Sequence, residues 1–158
     1  MGKALKGVPR SAYYLCTKIG CYGELDGLIT DRFNFNSATA LKSFEESLKR
    51  LGADYVDILY VHDFDFVYSF NQLIEHTLPA LAKLKAAGKV RYVGISSYNL
   101  KPARRMVKLA PKGSIDVYMS NNRCYLADQG MFRVDMLQLQ TIFHFHSNEL
   151  PDAHSVSY

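Results

Sequence analysis

The fold of this chain is decided by the stretch Tyr55-Val56-Asp57-Ile58-Leu59-Tyr60-Val61-His62-Asp63. Its β-branched and aromatic residues favour a pleated strand, and the run is too short for a helix. The stretch ends in a histidine and an acid, and His62 is the last side chain that alternation turns inward. Because ligands and catalytic groups of parallel α/β proteins collect at the carboxyl ends of strands, His62 is the first candidate functional residue.

Strands and helices alternate on both sides of this stretch. Short apolar runs predict strands, and apolar residues at helical spacing followed by glycine predict helices. The predicted strands are Ala12–Lys18, Tyr55–His62, Lys89–Ile95 and Ile115–Ser120, and the predicted helices are Ala38–Leu51 with Ser37 as its N-cap, Phe70–Ala87 and about Lys101–Leu109. Pro79 predicts a kink near His76–Leu78. This alternation indicates βαβ units and a parallel sheet.

The chain divides into two segments of different character. Residues 1–128 follow the alternating pattern, whereas residues 129–158 contain apolar residues without clear turn punctuation and are interpreted as a divergent C-terminal tail. His144, His146 and His154 lie in this tail. No cysteine or acid joins them at a recognised ligand spacing, so we expect no metal site.

Composition argues against several classes of function. The net charge is +4, and the densest basic cluster, Arg104, Arg105 and Lys108, is typical of a solvated helix face, so we expect no nucleic-acid partner. No apolar run approaches the roughly 18 residues that a membrane span needs, and no signal peptide opens the chain. The cysteines are odd in number and lack zinc spacing. They predict a reducing, cytoplasmic setting.

Lys18 is the second candidate functional residue, because it closes the strand before that of His62. Alternation turns Tyr60 the same way as His62, and Cys16 and Tyr14 the same way as Lys18. A lysine among apolar neighbours has a lowered pKa and polarises a nearby hydroxyl or carbonyl. A neutral imidazole beside it donates a hydrogen bond to a substrate oxygen. The plain alternatives are a solvated lysine and a capped surface histidine.

Three segments carry a family resemblance: LCTKIG (15–20), SLKRLGADYVDILYVHD (47–63) and LPALAKLKAAGKVRYVGISSY (78–98). In this order and spacing they resemble the aldo-keto reductases, most closely the branch of L-galactose and D-arabinose dehydrogenase-like enzymes. The similarity runs from about Gly2 to about Asp128. It implies a TIM (β/α)8 barrel, of which strands three to six are present here. It also implies NADP or NAD as hydride carrier and a carbonyl or alcohol substrate: an aldose, sugar lactol or small aldehyde.

The resemblance also assigns catalytic roles. In the family a tyrosine is the general acid, a lysine–aspartate pair tunes its pKa, and a histidine orients the carbonyl. Lys18 matches the family lysine and His62 the family histidine, so both are predicted to be catalytic. The family's tyrosine and aspartate precede the matched region, and Tyr14 is expected to fill the barrel interior instead. The alternative prediction is therefore an inactive half-barrel, a splice or gene-model product that pairs with itself or a full-length relative through open sheet edges.

The nicotinamide carboxamide site is the last feature that the resemblance implies. Ser96 and Ser97 match the family loop that hydrogen-bonds this amide. Either Ser120 or Asn121 lies where a residue of the sixth strand holds the same amide. These four residues are the predicted cofactor-binding set.

Overall fold

The computed structural model of the chain describes residues 2–21 and 33–120. It contains four strands, β1 (Cys16–Ile19), β2 (Val56–His62), β3 (Val90–Ser96) and β4 (Val117–Met119). All neighbouring pairs are parallel, and the strands lie in the order β1-β2-β3-β4. The predicted α/β class with a parallel sheet is therefore confirmed.

Helix α1 (Ser37–Leu51) connects β1 to β2. Its N-cap is Asn36, whose side-chain oxygen accepts a hydrogen bond from the Ala38 amide at 2.9 Å. The prediction of Ser37 as the cap was wrong, because Asn36 has the extended backbone that a cap needs and Ser37 is already helical. The helix ends at Gly52, which adopts φ 65°, a left-handed conformation that glycine reaches at no steric cost.

The connection from β2 to β3 is a helix with a deformed middle. Helix α2 (Phe70–Gln72) runs into a π-helical turn (Leu73–Thr77) and then into α3 (Leu78–Ala86). The kink predicted near His76–Leu78 is thus a π-helical turn. Pro79 has no N–H and its ring crowds the preceding turn, which explains the deformation. Helix α4 (Leu100–Leu109) connects β3 to β4.

The first strand begins later than predicted. Arg10–Ala12 form a 3₁₀ turn, and regular pairing with β2 begins only at Cys16. One reason is that the Leu15 amide donates to a side chain, the Asp57 carboxylate, at 2.8 Å. Tyr14 is 54% exposed in the described part of the sheet, and the expectation that it fills the barrel interior stays a prediction. It precedes the paired part of the strand.

The two faces of the sheet bury different residues. One face packs against the helices and forms the larger core, to which Leu59, Val61, Val93, Ile95 and Tyr118 belong. The other face holds a smaller cluster, and we call it the inner face. Its buried members are Ile58, Tyr60 and Val117, with Tyr92 and Met119 packed against them. A Cβ at Gly94 would lie 2.5 Å from the Tyr60 ring, so only glycine lets this ring lie across β3.

Two aspartates tie neighbouring strands together at their amino ends. Asp57 accepts the Leu15 amide at 2.8 Å, and Asp116 accepts the Val93 amide at 2.8 Å. In each pair the aspartate's own amide donates back to the carbonyl of the same neighbour. The same device therefore joins β1 to β2 and β3 to β4, away from the edge that carries the candidate site.

No helix in the described ranges is long and apolar enough to cross a membrane.

Candidate functional site at the carboxyl ends of the strands

Strand register brings the predicted residues to one edge and one face of the sheet. Lys18 on β1 pairs with Tyr60 on β2, and His62 pairs with Ser96 on β3. Ser96 in turn pairs with Met119 on β4. Residues in register share a face in a parallel sheet, so Lys18, His62 and Ser96 all belong to the inner face. The expectation that Lys18 and His62 meet on neighbouring strands agrees with this register.

His62 is partly buried at the point where β2 ends. Its side chain is 33% exposed, and its Nε2 lies 3.8 Å from the Asp63 carboxylate. Burial lowers the pKa of His62 below the ordinary value of 6.5, the Asp63 carboxylate raises it, and the charge of Lys18 lowers it further. The imidazole is therefore neutral at neutral pH and available as a hydrogen-bond donor to an oxygen.

Asp63 follows His62 directly and Asp65 lies two residues further on, and neither was singled out from the sequence as a candidate functional residue. Asp63 adopts φ 47°, the one left-handed non-glycine residue in the described ranges. Burial raises the pKa of Asp65, and the charge of Asp63 raises it further. The sequence Val61-His62-Asp63 did contain a signal for Asp63. An aspartate directly after a buried strand is typical of a turn, where its carboxylate finds a hydrogen-bond partner.

Lys18 lies where the inner face meets the outer edge of β1. It is exposed, and it lines a cavity of about 640 Å³. The other lining residues come from β1, the loop after it and a polar stripe of α1: Cys16, Thr17, Cys21, Thr39, Lys42, Ser43, Glu46, Ser47 and Arg50. His62 and Ser96 do not line this cavity. Lys18 is thus flanked by the edge cavity on one side and by His62 on the other.

Two further titratable side chains share the inner face with Lys18. Burial raises the pKa of Tyr60 well above its usual range, and nearby Cys16 adds to this effect. The pKa of Cys16 is raised to about 11, first by desolvation and then by the charge of Asp57, while Lys18 opposes the shift. A phenol that holds its proton so strongly is a weak general acid.

The three described serines of the predicted cofactor set differ in their hydrogen bonding. Ser96 is 3% exposed and its Oγ has no hydrogen-bond partner among the described residues. The buried Oγ of Ser120 also has none within that part of the chain. Ser97 is 4% exposed, but its Oγ donates to the Asn99 carbonyl at 3.1 Å. Asn121 lies outside the described residues.

A buried hydroxyl without a partner is costly and marks a place where a polar ligand fits. Ser96 and Ser120 have this character, and Ser96 is in register with His62. An amide such as the nicotinamide carboxamide offers both a donor and an acceptor to a hydroxyl. The hydroxyls of Ser96 and Ser120 at this edge therefore fit the nicotinamide carboxamide that the family resemblance implies.

Tyr118 is a further residue that the sequence did not single out. It lies on β4, is 5% exposed, and donates a hydrogen bond from its hydroxyl to the Ser97 carbonyl at 3.2 Å. The signal was present, because alternation places Tyr118 on the opposite face from Val117 and Met119. A buried tyrosine on that face needs a hydrogen-bond partner.

Comparison with known proteins identifies the family. A model of the Aldo/keto reductase family matches residues 1–143. The chain is 43% identical over 122 residues to L-galactose dehydrogenase from Arabidopsis thaliana. This alignment covers 76% of the chain and 36% of that protein. It is 35% identical over 101 residues to D-arabinose 1-dehydrogenase from Saccharomyces cerevisiae, covering 61% of this chain and 28% of that protein. The chain thus spans about a third of the length of these relatives.

A solved structure gives the same assignment. The holo form of an aldo-keto reductase from Bacillus halodurans superposes with a TM-score of 0.60 at 30% identity. The match covers 76% of this chain and 37% of that one, so the four-stranded sheet is part of a TIM barrel. The predicted fold, an incomplete TIM barrel, is therefore confirmed. The family match extends beyond Asp128, to residue 143. On these grounds the chain belongs to the aldo/keto reductase family.

Proposed function

We propose that this chain carries part of the active site of an NAD(P)-dependent oxidoreductase. The reaction interconverts a carbonyl and an alcohol on an aldose, a sugar lactol or a small aldehyde. Two relatives, L-galactose dehydrogenase and D-arabinose 1-dehydrogenase, are named for sugars, which supports this substrate class. The observation that carries the proposal is the shared inner face of Lys18 and His62 on adjacent strands, close enough for the charge of Lys18 to lower the pKa of His62.

Each of these side chains has a role that its environment supports. Neutral His62 donates a hydrogen bond to the substrate oxygen and so orients the carbonyl. The Lys18 ammonium favours negative charge on a neighbouring hydroxyl and thereby lowers that hydroxyl's pKa. Tyr60 is the register partner of Lys18, yet its raised pKa makes it unsuitable as the proton donor. The hydroxyl that Lys18 activates is, in this proposal, the tyrosine that precedes the matched region in the family.

The nicotinamide cofactor, when bound, supplies or accepts the hydride. Ser96 and Ser120 hold its carboxamide through their unpartnered hydroxyls, with Asn121 as the alternative to Ser120. This places the amide contact one strand away from His62. We propose the same family domain for residues 1–128 and a cytoplasmic location, in keeping with the free thiols of Cys16 and Cys21.

The experiment that tests this function is a titration of NADPH into the purified chain, followed by cofactor fluorescence and thermal stability. Where turnover of a small aldehyde is measurable, we expect Lys18→Met to reduce it by about 10²–10⁴-fold, the usual value of acid–base assistance. Lys83→Met is the matched control, because Lys83 is an exposed lysine on α3. Absence of binding at millimolar NADPH, or equal rates for the two variants, contradicts the proposal.

A second candidate function is an inactive half-barrel that associates with a second copy or a full-length relative. One observation favours it: the outer edge of β1 lies against the 640 Å³ cavity, and β1 pairs on its other edge with β2 alone within the described sheet. An unpaired strand edge is a ready template for another strand.

A further inference from the structure

The turn after β3 is held by a hydrogen-bond network centred on Ser97. The Ser97 amide donates to the Met119 carbonyl at 3.3 Å, and its Oγ donates to the Asn99 carbonyl at 3.1 Å. The Tyr118 hydroxyl donates to the Ser97 carbonyl at 3.2 Å and lies 3.4 Å from the Ser97 Oγ. The amide, the carbonyl and the hydroxyl of Ser97 are thus all engaged with the protein itself.

Ser96, the preceding residue, has the opposite character. Its Oγ is buried on the inner face and makes no hydrogen bond to any described residue. Its direction is set by the backbone on both sides, by β3 before it and by the Ser97 turn after it. Tyr118 reaches this turn from the helix side of the sheet, where it belongs to the larger core.

We propose that Tyr118 is a positioning residue for the cofactor amide. Its hydroxyl fixes the Ser97 carbonyl, and the fixed turn holds the Ser96 hydroxyl towards the inner face beside His62. Ser97 is then a structural member of the site rather than a ligand. This inference rests on the proposed function, because it takes the nicotinamide carboxamide as the ligand of Ser96.

Tyr118→Phe tests the role, because it removes the hydroxyl and keeps the ring in the core. We expect the dissociation constant of NADPH to rise about threefold to tenfold, the effect of one hydrogen bond. Tyr55→Phe is the matched control, a hydroxyl deletion at the amino end of the same sheet, where Tyr55 contacts Arg91. It should leave NADPH affinity unchanged.

A double-mutant cycle separates positioning from general loss of stability. If Tyr118 acts through Ser96, Tyr118→Phe adds nothing to the loss of affinity in Ser96→Ala. Additive effects overturn the proposal, as does a Tyr118→Phe protein that melts earlier but binds NADPH like the wild type. Failure of the wild-type chain to bind NADPH refutes the proposed function and this inference together. Normal wild-type binding with no effect of Tyr118→Phe refutes the inference alone.

Discussion

The pKa of His62 is set by its position at the end of β2. Burial lowers its pKa, and the opposed charges of Asp63 and Lys18 modulate that effect. A histidine with a lowered pKa binds fewer protons in the folded state than in the unfolded state. The free energy of unfolding therefore falls as the pH drops from 6.5 towards the folded pKa, and no further below it.

The two charged neighbours of His62 give a prediction with a defined sign. Lys18→Met removes a positive charge and should raise the pKa of His62, whereas Asp63→Asn removes a negative charge and should lower it. The pKa is measured by NMR titration of the imidazole, with His62→Gln to assign the resonance. Lys83→Met is the control and should leave the pKa unchanged. A wild-type pKa at or above 6.5, or shifts of the opposite sign, contradicts the arrangement.

At the scale of elements, β2 is anchored by the buried carboxylate of Asp57. This side chain is 1% exposed and forms ion pairs with Arg10 at 2.6 Å and with Arg91 at 3.0 Å. Both guanidinium groups also lie over the Tyr55 ring, at 4.0 Å and 5.0 Å from its centroid. Together with the Leu15 amide, this cluster fixes the starts of β1, β2 and β3 relative to one another.

Asp57→Ala tests the cluster, because it leaves the partly buried Arg10 guanidinium and the Leu15 amide without their acceptor. We expect a loss of about 3–5 kcal/mol in the free energy of unfolding, measured by urea denaturation. Asp116→Ala should cost less, since Asp116 and its partner Lys85 are 15% and 37% exposed. Asp54→Ala, at an exposed position, is the control. Equal midpoints for Asp57→Ala and Asp54→Ala would show that the cluster is not stabilising.

At the scale of the whole molecule, the sheet presents the outer edge of β1 beside a polar groove. Among the described residues that line this groove, Lys18, Lys42 and Arg50 are cations and Glu46 is the one carboxylate. The excess positive charge disfavours pairing of two identical β1 edges across a two-fold axis.

The half-barrel alternative predicts a concentration-dependent association. Sedimentation velocity over a range of protein concentrations should show a dimer, and modification of the exposed Cys16 thiol should slow as the dimer forms. The modification is followed at one fixed pH of about 9 or above, because the raised pKa of Cys16, about 11, makes the reactive thiolate a minor species that grows with pH. Cys21→Ser and Cys124→Ser remove the other thiols. A monomer at all concentrations with unchanged modification rates excludes this alternative.

The sequence by itself determined the order of strands and helices, the parallel class and the family. Short β-branched runs, helical spacing and glycine stops are local properties, and they predicted β2, β3 and the helices within a few residues. Lys18 and His62 were predicted because the ends of parallel strands meet at one edge, whereas Ser96 was predicted from the family resemblance. The start of β1 and the Asn36 cap were not, since each depends on contacts that alternation does not encode.

Only the tertiary structure decided which polar groups are engaged and which are unpartnered. The resemblance assigns Ser96 and Ser97 to the same amide, but Ser97 is engaged by hydrogen bonds from Tyr118 and to Asn99, whereas the Ser96 hydroxyl has no partner among the described residues. The Asp57 cluster likewise joins residues 47 and 34 positions apart in the chain. The physical reason is that burial and hydrogen bonding depend on the whole packed environment of a group. Periodicity, in contrast, fixes only the face on which a side chain lies.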